Sequence, residues 1–198
     1  MTVSMGKAST RLIPSNIRQV RVPVSIVCSV NVRTCVSMEF KELRYGYTVS
    51  TAHCVREVIS PLQFFSQEAR TKEIEKFNSD NLWAFVENKH RCNIVAIDNG
   101  EVVGFLFGVV DANVMWVLWI GMKEKHRRLD HMRTLWEMME DWCRTKGISK
   151  VWCDTNQLNT PSIQFVQKLG YTKLADLTNY WYGHDYFLWE KTLNGKNY

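Results

Sequence analysis

The sequence predicts an α/β domain, a mixed and mostly antiparallel sheet of about six or seven strands flanked by about four helices. Two observations predict it. Three β-rich segments follow one another through the Asn99-Gly100 and Asp111-Ala112-Asn113 turns, the pattern of an antiparallel meander. Two amphipathic segments come next, each ended by a glycine and each followed by a further strand. A meander that passes into strand–helix–strand units mixes strand directions and places helices on the sheet's faces.

Taken in order, Met38–Tyr45 alternates and suits a first strand. Ser50–Lys76 reads as one or two helices broken near Pro61, with Val55, Ile59, Leu62 and Phe65 at helical spacing. Asn93–Asp98 and Glu101–Val110 form the hairpin, and Val114–Met122 is the third strand of the meander. In Asp130–Lys146 the residues Met132, Leu135, Trp136, Met139, Trp142 and Cys143 make one apolar stripe, and Gly147 ends the helix. Lys150–Asp154 is a short strand. Thr160–Leu169 is a helix with Asn159 as its cap, Pro161 in its first turn and Gly170 at its end. Tyr171–Leu177 and Asp185–Thr192 are the last two strands.

The chain's 198 residues suit one domain, placed at 38–193 with a short tail at 194–198. Its hydrophobic content of 45% and charged content of 23% are those of an ordinary globular protein. No apolar run approaches the roughly 18–20 residues of a membrane span. The net charge of +5 is local: residues 1–37 carry five of the 25 basic residues and none of the 20 acidic ones. The domain itself is neutral, which argues against nucleic acid as a partner. The leader alternates from Val20 to Val32, and Pro14 and Pro23 oppose the amphipathic helix of an organellar transit peptide. It is an extra strand, a basic disordered arm, or sequence upstream of a true start at Met38; the last two are preferred. The six cysteines show no C-x-x-C and no metal-ligand spacing, so no metal and a reducing, cytoplasmic setting are expected.

The motif-bearing stretch runs from Asn159 to Tyr171. Asn159 opens a helix eleven residues before Gly170-Tyr171, and Gln167-Lys168-Leu169 sits just ahead of that pair. With the element order, this resembles the late motif of the GNAT N-acetyltransferase superfamily, over roughly the span from Met38 to Leu193. The resemblance implies an acyl-coenzyme A fold, acetyl-CoA as co-substrate, and an amine on a small molecule or protein as acceptor. In that family a strand, an Arg/Gln-x-x-Gly-x-Gly/Ala turn and a helix receive the cofactor's diphosphate on backbone N–H groups. The matching stretch is Arg127, Arg128, Leu129, Asp130, His131, Met132. Arg127 is present, but Asp130 and Met132 stand where the glycines belong. Lys123, Lys125, His126, Arg128 and Arg133 surround the turn and offer charge-assisted contacts instead. The strand positions implied to meet the pantetheine arm are Ile120, Gly121 and Met122, with Gly121 easing close approach.

The family's helix tyrosine, an acid for the departing thiolate, falls at Val166, which has no proton to give. Ser162, Tyr171 and Tyr182 are the substitutes by proximity in sequence, with Tyr180 beside them. Glu124, His126, His131 and Asp185 are the candidate bases. The tip Asn179–Gly183 is implied to border the acceptor pocket. Two functions fit this pattern: an acetyl-CoA-dependent N-acetyltransferase, or a worn member of the same fold kept as a binding or assembly module, as in some viral particle proteins, which would act in the host cytoplasm.

Overall fold

A computed structural model describes residues 38–127 and 129–193, with Leu129 described by its backbone alone. The expectations for residues 1–37, for Arg128 and for the tail at 194–198 lie outside the described residues.

The order is β1 (Glu39–Glu42), α1 (Thr48–Ile59), α2 (Gln67–Lys76), α3 (Ser79–Glu87), β2 (Arg91–Asp98), β3 (Glu101–Asp111), β4 (Val114–Met122), α4 (Leu129–Thr145), β5 (Lys150–Asn156), α5 (Thr160–Lys168), β6 (Thr172–Leu177) and β7 (Tyr186–Thr192). The seven strands form one mixed sheet in the order β1-β2-β3-β4-β5-β7-β6. All neighbours are antiparallel except β4 and β5, which are parallel and joined through α4. The expected meander folds through Asn99 and Gly100 at φ of 51° and 81°, the two left-handed positions that a tight hairpin turn demands.

Alternation along the strands separates two apolar layers. Ile94, Ala96, Val103 and Leu106 face α4 and α5, where Leu135, Trp136, Met139 and Val166 complete the layer. Val95, Ile97, Val102, Phe105 and Phe107 face the other way, onto Cys54, Val55, Val58 and Ile59 of α1 and Leu82 of α3.

Two readings of the early helices need correction. The break falls near Pro61 as expected, but α1 has already ended at Ile59, so Leu62 and Phe65 belong to the connecting turns. The helix α3 was not expected. It spans only nine residues and is opened by Asn78, whose side chain accepts the Asn81 N–H at 2.8 Å. A single cap and one buried side chain, Leu82, give too little periodic signal to read from sequence.

The register holds the feature that positions the site. β4 and β5 pair only from Val114 to Val117 against Lys150 to Cys153. Beyond those positions β4 pairs with β3 alone and β5 with β7 alone. At the same point β4 carries a bulge: Phe107 faces Trp119 while Gly108 faces Val117, leaving Leu118 as the extra residue. A bulge sharpens local twist and bends its strand. Here it turns the end of β4 away from β5.

Candidate active site

The parted strands leave a cavity of about 450 Å³, within the range of small-molecule sites. It is lined from both sides of the sheet. Met132, Trp136, Phe165 and Val166 come from α4 and α5. Leu62, Phe64, Phe65, Trp181 and Tyr186 come from the α1–α2 connection, the β6–β7 connection and β7. Between them run Val117–Met122 of β4 and Cys153–Asn156 of β5.

Several residues expected from sequence meet here. Ile120, Gly121, Met122, Arg127, Met132, Asn159 and Ser162 all line the cavity. Asn159 caps α5, accepting the Ser162 N–H on its Oδ1 at 3.3 Å. Arg127 donates from Nε to the Met122 carbonyl at 3.0 Å, which anchors the guanidinium at the end of β4 and leaves its terminal nitrogens uncommitted among the described residues. Gly121 also meets a packing need. A Cβ there would lie 2.6 Å from Val58 Cγ1 and 2.9 Å from Phe105 Cζ, so its small size lets α1 pack on the sheet.

Others are placed elsewhere. Asp130 is exposed in the first turn of α4, and Arg133 is exposed outside the lining. His131 Nδ1 lies 3.2 Å from the His126 carbonyl, and His126 Nε2 lies 3.1 Å from Asp98. Glu124 is exposed, and Asp185 accepts the Asn179 N–H at 2.8 Å as a turn does. None of these lines the cavity. Tyr171 is buried in the α4 layer: its hydroxyl accepts from Trp136 Nε1 at 2.8 Å and donates to Glu140 at 3.2 Å. Burial, reinforced by Glu140, pushes its pKa far up. The Tyr182 hydroxyl is also committed, donating to Glu73 Oε1 at 2.6 Å, and burial raises its pKa further. Neither tyrosine faces the cavity, so the acid role assigned to them by chain proximity does not fit their positions.

Glu73 was not singled out in the sequence. It is wholly buried, yet it accepts from Trp119 Nε1 at 2.9 Å and Tyr182 Oη, and it pairs with Lys76. The Lys76 ammonium lies 4.5 Å from the centre of the Trp181 ring. One carboxylate thus ties α2, β4 and the β6–β7 connection together along one side of the site.

Asp154 was missed too, and its surroundings differ. It lines the cavity and forms no hydrogen bond or ion pair among the described residues. Burial, with the Glu73 charge added, pushes its pKa up to about 6. Cys153 beside it is held as a neutral thiol, because burial raises its pKa strongly. Among the described residues no cluster of three or more His, Cys, Asp and Glu is arranged to hold a metal. No described helix is long and apolar enough to cross a membrane.

A mixed sheet whose central parallel pair opens beyond a bulge, with helices on both faces, is the acyl-CoA N-acyltransferase fold. The chain belongs to the acetyltransferase (GNAT) family, whose sequence model matches residues 60–171. Among solved structures it is similar to the PaiA N-acetyltransferase of Thermoplasma acidophilum in complex with coenzyme A, at 21% identity and TM-score 0.68, covering 79% of this chain and 99% of that one. It is similar to aminoglycoside 6'-acetyltransferase type Ii, at 17% identity and TM-score 0.64, covering 80% and 99%. An N-acetyltransferase of Staphylococcus aureus Mu50 shares 18% identity at TM-score 0.64, covering 80% and 99%. No curated protein matches the chain by sequence.

Proposed function

We propose that this chain transfers the acetyl group of acetyl-coenzyme A to the nitrogen of an amine, with the parted strands cradling the donor and Asp154 acting as general base. One observation carries this reading: an unpaired carboxylate, with its pKa near 6, stands in the wall of a cavity opened by the sheet itself.

The residues present fit an acyl-coenzyme A. The edge of β4 beyond Val117 has no sheet partner on the β5 side, which suits a ligand whose arm carries amides. At the diphosphate end Arg127 offers its terminal nitrogens. Asp130 and Met132 stand where the family has small residues, so positive side chains do more of the work there than backbone N–H groups. When bound, acetyl-CoA supplies an activated acyl group on a thiol leaving group.

The chain's own residues supply the rest. An alkylamine has a pKa of about 10 and arrives as an ammonium, which cannot attack a carbonyl. Asp154 is mostly ionised at neutral pH and accepts that proton. Val166 of α5, which lines the cavity, is apolar and supplies no acid. The Ser162 hydroxyl and the Tyr186 hydroxyl, whose pKa burial pushes up to about 12, are among the cavity-lining groups that retain a proton. The acceptor is an amine on a small molecule or protein, and the setting is the cytoplasm.

Thermal unfolding with acetyl-CoA tests the reading. Ligand at 100 times its Kd stabilises the fold by roughly 2.7 kcal/mol, and Arg127→Glu should remove that shift. No shift at millimolar cofactor overturns the transferase reading and leaves a binding module.

A further inference from the structure

Two buried polar groups at the aromatic end of the cavity have no hydrogen-bond partner of ordinary length among the described residues. Asn156 and Tyr186 sit directly opposite each other on β5 and β7. Both line the cavity, at 4% and 3% exposure. The Asn156 Oδ1 accepts the Leu158 N–H at 2.9 Å, which fixes the orientation of the amide and leaves Nδ2 as a donor. Among the described residues, that Nδ2 and the Tyr186 hydroxyl form no hydrogen bond of ordinary length, although each faces and acts on the other across the strand pair. A fold rarely leaves two neighbouring interior groups unsatisfied unless something else satisfies them.

Three further features narrow what that is. Facing residues in an antiparallel pair project their side chains together, so a donor amide and a hydroxyl converge on one spot and suit a single oxygen atom. Asp154 lies two positions along the same face of β5, and Glu73 acts on it electrostatically, so a carboxylate or phosphate would be repelled while an ammonium is favoured. The β6–β7 connection bordering this end is tied to α2, Tyr182 to Glu73 at 2.6 Å, and meets the α1–α2 connection where the Phe65 and His184 ring centres lie 6.2 Å apart. A polypeptide needs an open trough there; a compact molecule does not.

We propose that Asn156 and Tyr186 form an oxygen-recognising subsite, so that the acceptor is a small primary amine bearing a neutral hydroxyl or carbonyl oxygen a few bonds from its nitrogen. This rests on the acetyl-transfer reading for the identity of the site, while binding at the subsite does not require turnover.

The test uses three matched probes with the full chain: 3-aminopropanol, its isostere n-butylamine, and β-alanine. Binding is measured by ligand-observed NMR without cofactor, and kcat/KM by thiol release with acetyl-CoA. The alcohol should bind at least about tenfold more tightly than either other probe, the size of one net hydrogen bond. Tyr186→Phe, which removes only the hydroxyl, and Asn156→Leu should each bring the alcohol-to-alkylamine ratio towards one. Equal binding of alcohol and alkylamine, a preference for β-alanine, or a ratio unmoved by both variants overturns the subsite. A cofactor-induced thermal shift with no such preference sinks the subsite and spares the transferase. A preference in binding with no cofactor shift does the reverse.

Discussion

Glu140 and Asp154 are both carboxylates drawn into the interior, and the fold treats them in opposite ways. Glu140, on the α4 side, is 5% exposed and surrounded by donors: Tyr171 Oη at 3.2 Å, Lys191 Nζ at 2.8 and 3.0 Å, and Arg144 Nη2 at 3.2 Å. Lys191 also donates to the Leu169 carbonyl at 2.9 Å, so the cluster fastens α4, the end of α5 and β7. Asp154 has no such escort. A buried charge that has been paired holds structure together, whereas one left unpaired costs stability and remains chemically available.

The largest expected effect sharpens this contrast. Asp154→Asn should lower kcat/KM by about 10²–10⁴-fold. Because the base form exists above a pKa of about 6, wild-type activity should fall as pH drops through that value, and the variant should lose this acidic limb. Its effect on stability has the other sign. The folded pKa lies above the ordinary 3.8, so the folded chain binds the proton more tightly than the unfolded one. The carboxylate therefore weakens the fold increasingly as pH rises from about 4 to about 6, and leaves it unaffected below that window. At pH 7 Asp154→Asn should stabilise by about 2–3 kcal/mol in urea unfolding. A variant that keeps wild-type turnover and gains no stability removes Asp154 from the chemistry.

Lys191→Met addresses the paired partner. It should cost about 2–3 kcal/mol in the same unfolding measurement by stripping Glu140 of a cation, and a loss below about 0.5 kcal/mol would show that Arg144 and Tyr171 suffice. Gly121→Ala is the mildest change. Its Cβ must displace Val58 or Phe105, at a cost of about 1–2 kcal/mol; an unaltered Tm would mean that α1 yields freely.

The same contrast explains what could be read from the chain. The meander, the βαβ crossover and the stripe of α4 were legible because each repeats a local period or ends in a turn residue that only one geometry tolerates. The place of Arg127, Ile120 and Asn159 at the cavity was legible because they sit at fixed offsets from such elements. The proposed base was not, since the surroundings that raise the Asp154 pKa come from distant residues, and a lone acidic letter carries no record of them. Tyr171 and Tyr182 show the converse. Both lie near the motif in sequence, yet Trp136, Glu140 and Glu73 engage their hydroxyls from elsewhere in the fold.

Cys153 lines the cavity in which the acyl donor is proposed to bind. An ionised sulfur there would capture the acetyl group by thioester exchange and turn the protein into its own acceptor. Burial at 3% exposure keeps that sulfur protonated and inert. The donor's energy is thereby reserved for nitrogen.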